Sequence, residues 1–353
     1  MMSAIAALFY AVILVLLDLG VNENLTNQET LILVHTIFRH GERTVDLSTL
    51  YPNDPYINET YYPYGVGQLT NAGKKREYNL GKALRKRYDS FLGNIYEPDL
   101  LEAQTTDFNR TKMSLELVLA GMFPPVGDQI FEPALLWQPI PYNYQPVDKD
   151  KILLGTNCPN YAKFYNKLTN SNTLKKEFAK RKILFKYLSL HSGWNITNYG
   201  DVFYLYFGLR SEEEWGFNLP EWTNTVYPKQ LEDMVIKEYY IATGSRNLRK
   251  LAAGTLKPPR RKLFLYSGHE SNIAGFLSTL DIFEPQIPPY GCYILLEIHL
   301  VDGVYGIMIY YQDYIGDDPK LLKLPSCEEF CPFDQFISIV VNYLPSEDLC
   351  GDK

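Results

Sequence analysis

Two short apolar runs, far apart along the chain, each break off in a histidine, and this repetition limits the fold more than any other feature. Leu31-Ile32-Leu33-Val34-His35-Thr36-Ile37-Phe38 stops at Arg39-His40-Gly41-Glu42-Arg43. Lys262-Leu263-Phe264-Leu265-Tyr266-Ser267 stops at Gly268-His269-Glu270-Ser271-Asn272. Runs this short, rich in branched residues and ended by charge or glycine, read as buried strands. Helices between such strands predict an α/β fold, with a central, mostly parallel sheet flanked by helices. Ligand should sit beyond the carboxyl edge of the sheet.

The first strand end delivers an imidazole, two guanidinium groups and a glycine. Those groups suit a phosphoryl group, because arginine forks match phosphate oxygens and an unprotonated imidazole is a nucleophile toward phosphorus. Taken alone, the segment equally fits a hydrogen-bonded histidine between two surface arginines.

Thr70, followed by Ala72, Leu80, Leu84 and Tyr88, predicts a helix with a capping hydroxyl and one apolar face. Its Lys74-Lys75-Arg76 and Arg85-Lys86-Arg87 clusters read as a solvated face. A second helix is expected from Thr106-Asp107 through Met113, Leu117 and Ala120 to Gly121, stopped by Pro124-Pro125. Asp107 would cap it and put Arg110 in the first turn, where the backbone dipole adds to the pull on an anion.

From Ile130 to about Pro259 the texture changes. Proline and aromatic residues crowd Glu132 to Pro146, and helical segments surround Lys163 to Leu190 and Leu231 to Leu251. No run here reads as a central strand. The span 130–258 is therefore expected to be a mainly helical cap inserted into an α/β domain made of 28–129 and 259–345. Beyond it, a helix should begin near Ile273, and Asp302-Gly303 should turn a hairpin between Ile294–Leu300 and Val304–Tyr311.

With 46% hydrophobic and 21% charged residues, the 353-residue chain has the composition of a folded protein. Its net charge of −7 excludes a general nucleic-acid binder and requires any anion site to be a local cluster of cations. Ala4 to Leu17 is apolar and ends at Asp18, too short to span a bilayer but fitting a signal peptide over residues 1–20. A secreted, soluble product follows, with Asn24, Asn58 and Asn195 as glycosylation candidates. The sequon at Asn109 is set aside because it abuts Arg110. An oxidising compartment favours disulfides, yet five cysteines (Cys158, Cys292, Cys327, Cys331, Cys350) leave at least one thiol over. Cys327 and Cys331 are close enough for a local bridge, metal binding being the alternative. Of the other histidines, His35 and His299 read as core residues with hydrogen bonds, and His191 as part of a polar loop. The aromatic stretch Trp137 to Tyr144 reads as packing beneath the cap.

Six segments together carry a family resemblance: Arg39-His40-Gly41-Glu42-Arg43-Thr44, Gly67-Gln68-Leu69-Thr70, Asp107-Phe108-Asn109-Arg110-Thr111, Leu136-Trp137-Gln138-Pro139-Ile140-Pro141, Gly268-His269-Glu270 and Cys327-Glu328-Glu329-Phe330-Cys331-Pro332. In this order they resemble the histidine acid phosphatases of the prostatic, lysosomal and insect venom types, from about Leu31 to Cys350. The resemblance implies a phosphoglycerate mutase-like fold and two-step hydrolysis of phosphate monoesters through a phosphohistidine, without metal or other cofactor. By position His40 matches the nucleophile, and Arg39, Arg43, Arg110 and His269 match the phosphate-holding groups. Glu270 matches the proton donor, where the family usually has aspartate. Gln104 stands where the prostatic type has an arginine.

The resemblance further implies bridges Cys158–Cys350 and Cys327–Cys331, with Cys292 left free and buried because its partner is missing. Implied substrates are small phosphate monoesters or phosphorylated peptides, with no nucleic-acid or membrane partner. The oligomeric state stays open between monomer and homodimer, and the lysosomal lumen is the alternative to secretion. A catalytically silent secreted glycoprotein on the same fold is the competing function. A phytase-like activity would want a basic pocket rim, which this acidic chain does not offer.

Overall fold

The computed structural model describes residues 30–252, 261–316, 318–343 and 349–351. The expected signal peptide and Asn24 lie outside the described residues. Strand β1 (Leu31–Arg39) leads to helix α1 (Asn71–Leu92), β2 (Leu101–Thr106) and α2 (Asn109–Met122). The short β3 (Asn143–Gln145) precedes α3 (Pro159–Thr169), α4 (Asn172–Lys180) and α5 (Lys182–Ser192). Next come α6 (Tyr199–Trp215), α7 (Lys229–Ala242) and α8 (Arg246–Ala252). The chain then returns through β4 (Leu263–Gly268), α9 (Glu270–Thr279) and the hairpin β5 (Tyr293–Val301) and β6 (Val304–Gln312). It closes with β7 (Lys320–Leu322), β8 (Cys331–Pro332) and α10 (Phe333–Val340).

The sheet runs β3-β2-β4-β1-β5-β6-β7, with β8 paired to β6. Its first four strands are parallel, and β5, β6 and β7 add antiparallel pairs. One register decides the function. β1 and β4 are parallel neighbours with Arg39 opposite Gly268, so the residues that follow them, His40 and His269, emerge side by side. The His40 amide donates to the Gly268 carbonyl at 3.0 Å.

Alternation along β1 serves two layers. Val34 and Phe38 pack with Leu80 and Leu84 of α1 and Leu115 and Val118 of α2. Leu33 and Ile37 face the other way, toward Ile273 and Phe276 of α9 and the aliphatic and aromatic residues of the helical insert. His35 shares this second face, stacked on Phe264 at 4.7 Å. Contrary to the expectation of a hydrogen-bonded ring, neither of its nitrogens has a partner among the described residues. Burial holds its pKa down at about 3, so the ring is neutral and packs as an aromatic. His299 does bond, to the Thr30 hydroxyl at 3.0 Å and near Glu297 at 3.3 Å.

Several local expectations change. β3 lies inside the span read as helical and pairs with β2 at the sheet edge. In the stretch Trp137 to Tyr144, Trp137 is 41% and Tyr144 48% exposed, and Ile140 is buried with the α1 and α2 cluster, so the stretch does not pack beneath the insert. His191 ends α5 rather than lying in a loop, and stacks on Trp222. The basic clusters of α1 are not simply solvated: Arg76 bonds Glu42 and Arg87 bonds Glu297, both at 2.7–2.8 Å. Cys158 is bonded to Cys350 and Cys327 to Cys331, while Cys292 is free and buried. Among the described residues no helix is long and apolar enough to cross a membrane.

Candidate active site

The loop after β1 is pinned by a glycine contact. A Cβ on Gly73 would lie 2.2 Å from the Glu42 carbonyl oxygen, and one on Gly41 would lie 2.6 Å from the Gly73 oxygen. Only glycines allow this approach, which seats the loop on the first turn of α1, where the Thr70 hydroxyl caps the Gly73 amide. His40 is thereby fixed at 2% exposure. Its Nδ1 lies 2.8 Å from the Gly41 carbonyl oxygen, which can only accept. Nδ1 therefore carries the proton, and Nε2 keeps a free lone pair. Burial, then the charges of Arg110 and Arg39, press the His40 pKa well below the ordinary histidine value. The ring stays neutral, as a nucleophile must.

Three guanidinium groups surround it, each anchored at one end. Arg39 Nη1 donates to the Pro288 carbonyl at 2.6 Å, and its guanidinium lies 3.8 Å over the Tyr290 ring. Arg43 Nη1 donates to the Thr44 carbonyl at 2.8 Å and to the Ser211 hydroxyl at 3.3 Å. Arg110 Nη1 donates to Asp46 at 2.9 Å, and its guanidinium rests on Phe108. The Nε groups of Arg43 and Arg110 are buried without a hydrogen-bond partner among the described residues, and that of Arg39 faces Glu270 in an ion pair. Burial and the neighbouring Arg43 pull Arg110 down to about 10, still fully charged in acid. These anchors leave donors for an anion and resist mutual repulsion through Asp46 and Glu270.

His269 closes the ring. Its centroid is 5.5 Å from that of His40, with the planes 77° apart. Its Nε2 lies 3.1 Å from the Thr106 hydroxyl, and its amide donates to Asn272 at 2.9 Å. Burial, then Arg110, lower its pKa to about 3. Glu270 opens α9 and pairs with Arg39 Nε at 3.2 Å. Burial alone would raise its pKa, but Arg39, then His269, pull it net below the ordinary carboxyl value. Without substrate these charges hold it as a carboxylate.

The residues singled out from the sequence thus meet: His40, Arg39, Arg43, Arg110 and His269 act on one another, and Glu270 joins through Arg39. Asp107 does not cap α2. Phe108 holds the cap position, and Asp107 pairs with Lys112 instead. Gln104 is buried within β2, opposite Tyr266 of β4. Sequence reasoning missed Asp46, Thr106, Ser211, Pro288 and Tyr290. Asn58, Asn195 and Asn109 are all exposed. The Asn109 sequon is compromised on its other side, since the Thr111 hydroxyl is buried and bonded to the Thr106 and Phe108 carbonyls.

A parallel sheet edge with paired imidazoles and three guanidinium groups is suited to a phosphoryl group on an α/β fold. The chain belongs to the histidine phosphatase superfamily (branch 2), whose family model matches residues 30–303. It is 38% identical over 338 residues to the honeybee (Apis mellifera) venom acid phosphatase Acph-1, covering 91% of this chain and 87% of that protein. It is 32% identical to human prostatic acid phosphatase over 333 residues, 89% of this chain and 86% of the relative. Human lysosomal acid phosphatase matches at 30% over 345 residues, 91% and 80% of the two chains. In fold it is similar to the Klebsiella sp ASR1 phytase, with a TM-score of 0.65 at 13% identity over 92% of this chain and all of the other. The family and these relatives make the protein a hydrolase of the phosphatase class.

Proposed function

We propose that the protein hydrolyses phosphate monoesters in two steps through a phosphohistidine on His40. In the first, Nε2 of His40 attacks phosphorus, the P–O bond to the leaving group breaks, and Glu270 gives that oxygen its proton. In the second, water attacks phosphorus and gives a proton to Glu270 as the N–P bond breaks, so that His40 is restored as a neutral imidazole and inorganic phosphate leaves. Arg39, Arg43, Arg110 and His269 hold the phosphate oxygens, and their attraction grows as charge gathers on those oxygens in the transition state. The observation that carries this reading is the Nδ1–Gly41 hydrogen bond, which leaves a neutral Nε2 amid three cations.

The mainly helical span 130–258, whose last six residues lie outside the described residues, is proposed as a cap over this edge, supplying Ser211 to Arg43. A secreted product with residues 1–20 removed fits the two disulfides, which persist in oxidising compartments. Substrates are proposed to be small phosphate monoesters or phosphorylated peptides. Turnover of 4-nitrophenyl phosphate at acidic pH tests the reading. His40→Ala should lose at least about a thousandfold in kcat. Residual activity within tenfold of the parent would refute it.

A further inference from the structure

Glu270 and Ser271, at the head of α9, form one wall of a cavity of about 460 Å³ whose other walls come from α3, α6 and α7 of the helical insert. A proton donor must touch the leaving oxygen, so the leaving group has to extend along the wall that Glu270 forms. Resting on the proposed role of Glu270, we propose that this cavity receives the leaving group and selects those bearing an ammonium over those bearing further negative charge.

Three side chains set that chemistry. Glu270, Glu238 and Asp201 line the cavity, and among the described residues its lining contains no Lys, Arg or His. Glu238 is only 8% exposed. Its Oε1 accepts from the Tyr165 hydroxyl at 2.6 Å, while Oε2 has no partner among the described residues. The hydroxyl of Tyr239, another residue of the lining, is likewise buried without a partner among the described residues. A buried carboxyl oxygen without a donor is costly, and an ammonium supplies both hydrogen bonds and charge. Tyr161 and Tyr165, stacked at 6.2 Å, add ring faces that attract a cation. A polyanionic leaving group would meet three carboxyls and no cationic side chain in this lining.

The titratable groups around Glu238 are Asp201 and Tyr204 from α6 and Tyr161 and Tyr165 from α3, while Glu270 of α9 lines the same cavity. Burial, with Asp201 adding to it against the Tyr165 hydrogen bond, pushes the Glu238 carboxyl up to about 7. It is protonated at pH 5 and ionises as pH passes 7, so selection for ammonium should strengthen over that interval.

Three aryl phosphates with phenols of similar acidity test this on the full chain: 4-ethylphenyl phosphate, 4-(2-aminoethyl)phenyl phosphate and 3-(4-phosphonooxyphenyl)propanoate. At pH 7 kcat/KM should be about fivefold higher for the ammonium ester than for the neutral one, and lower for the carboxylate ester by a similar factor. In Glu238→Gln the ammonium-to-neutral ratio should fall toward one, and Glu238→Asp should restore part of it. The ratio cancels any general loss of fold or chemistry. Equal efficiency toward all three esters, or an unchanged ratio in Glu238→Gln, would overturn the cavity assignment while leaving the catalytic reading intact. No turnover of any ester would overturn both.

Discussion

Arg39, then His269, hold Glu270 as a carboxylate in the free enzyme, yet the proposed reaction needs it protonated. Substrate resolves the conflict. A bound phosphate group engages the Arg39 charge and adds its own negative charge, and both effects raise the Glu270 pKa in the complex. The alkaline limb of kcat, which reports the complex, should therefore lie at higher pH than that of kcat/KM, which reports the free enzyme. Superimposed limbs would count against this. Glu270→Gln should remove the limb from kcat and cost about a hundredfold or more on an alkyl phosphate, with a smaller loss on a nitrophenyl ester. At this scale the sequence was readable where a side chain follows a strand directly, as with His40 and His269. Tyr290 and Ser211 were not readable, because one lies in an irregular loop and the other inside an insert helix. Only tertiary packing brings them to Arg39 and Arg43.

Helices α1 and α2 cover one face of the sheet and meet through glycines. A Cβ on Gly81 would fall 2.2 Å from the Val118 carbonyl oxygen, and one on Gly121 would fall 2.4 Å from that of Tyr78. Gly81→Ala should force the helices apart and destabilise the fold by about 1–3 kcal/mol, read from the midpoint of urea unfolding. A midpoint equal to the parent's would show that the contact gives way freely. The effect should reach the site, since α1 carries Gly73 beneath the His40 loop and α2 carries Arg110. The periodicity of α1, the paired strands and the Asp302-Gly303 hairpin were all legible as local patterns. β3 was not, because three residues amid prolines acquire strand character only by pairing with β2. The start of α9 was missed for a related reason. It begins at Glu270, and Asn272 bonds back to the His269 amide, a cap that a histidine does not advertise.

Across the whole molecule, buried carboxyls tie stability to acid. Burial raises the pKa values of Glu77, Glu212, Asp54 and Glu238, and Asp54 and Glu212 share a site on the insert side. Raised acids keep protons in the fold that the unfolded chain gives up above roughly pH 4, so their contribution declines as pH climbs from there through 7. Glu270, Glu297 and Asp46 are shifted the other way by Arg39, His299 and Arg110, and their contribution is lost as pH falls below that same value. The neutral rings of His35, His40 and His269 likewise lose their contribution as pH falls below roughly 6.5. Tm should therefore peak near about pH 6 and drop toward pH 8, and Glu212→Gln should flatten the drop. A Tm that rises from pH 5 to pH 8 would contradict this balance. Everything else depends on two strand ends presenting one neutral imidazole to phosphorus, which covalent trapping tests most directly. After rapid quenching of the enzyme with a ³²P-labelled aryl phosphate and digestion in alkali, where phosphohistidine survives, label should sit on the peptide containing His40 and vanish in His40→Ala. Label on a peptide lacking His40, or persisting in that variant, would mean that another group attacks.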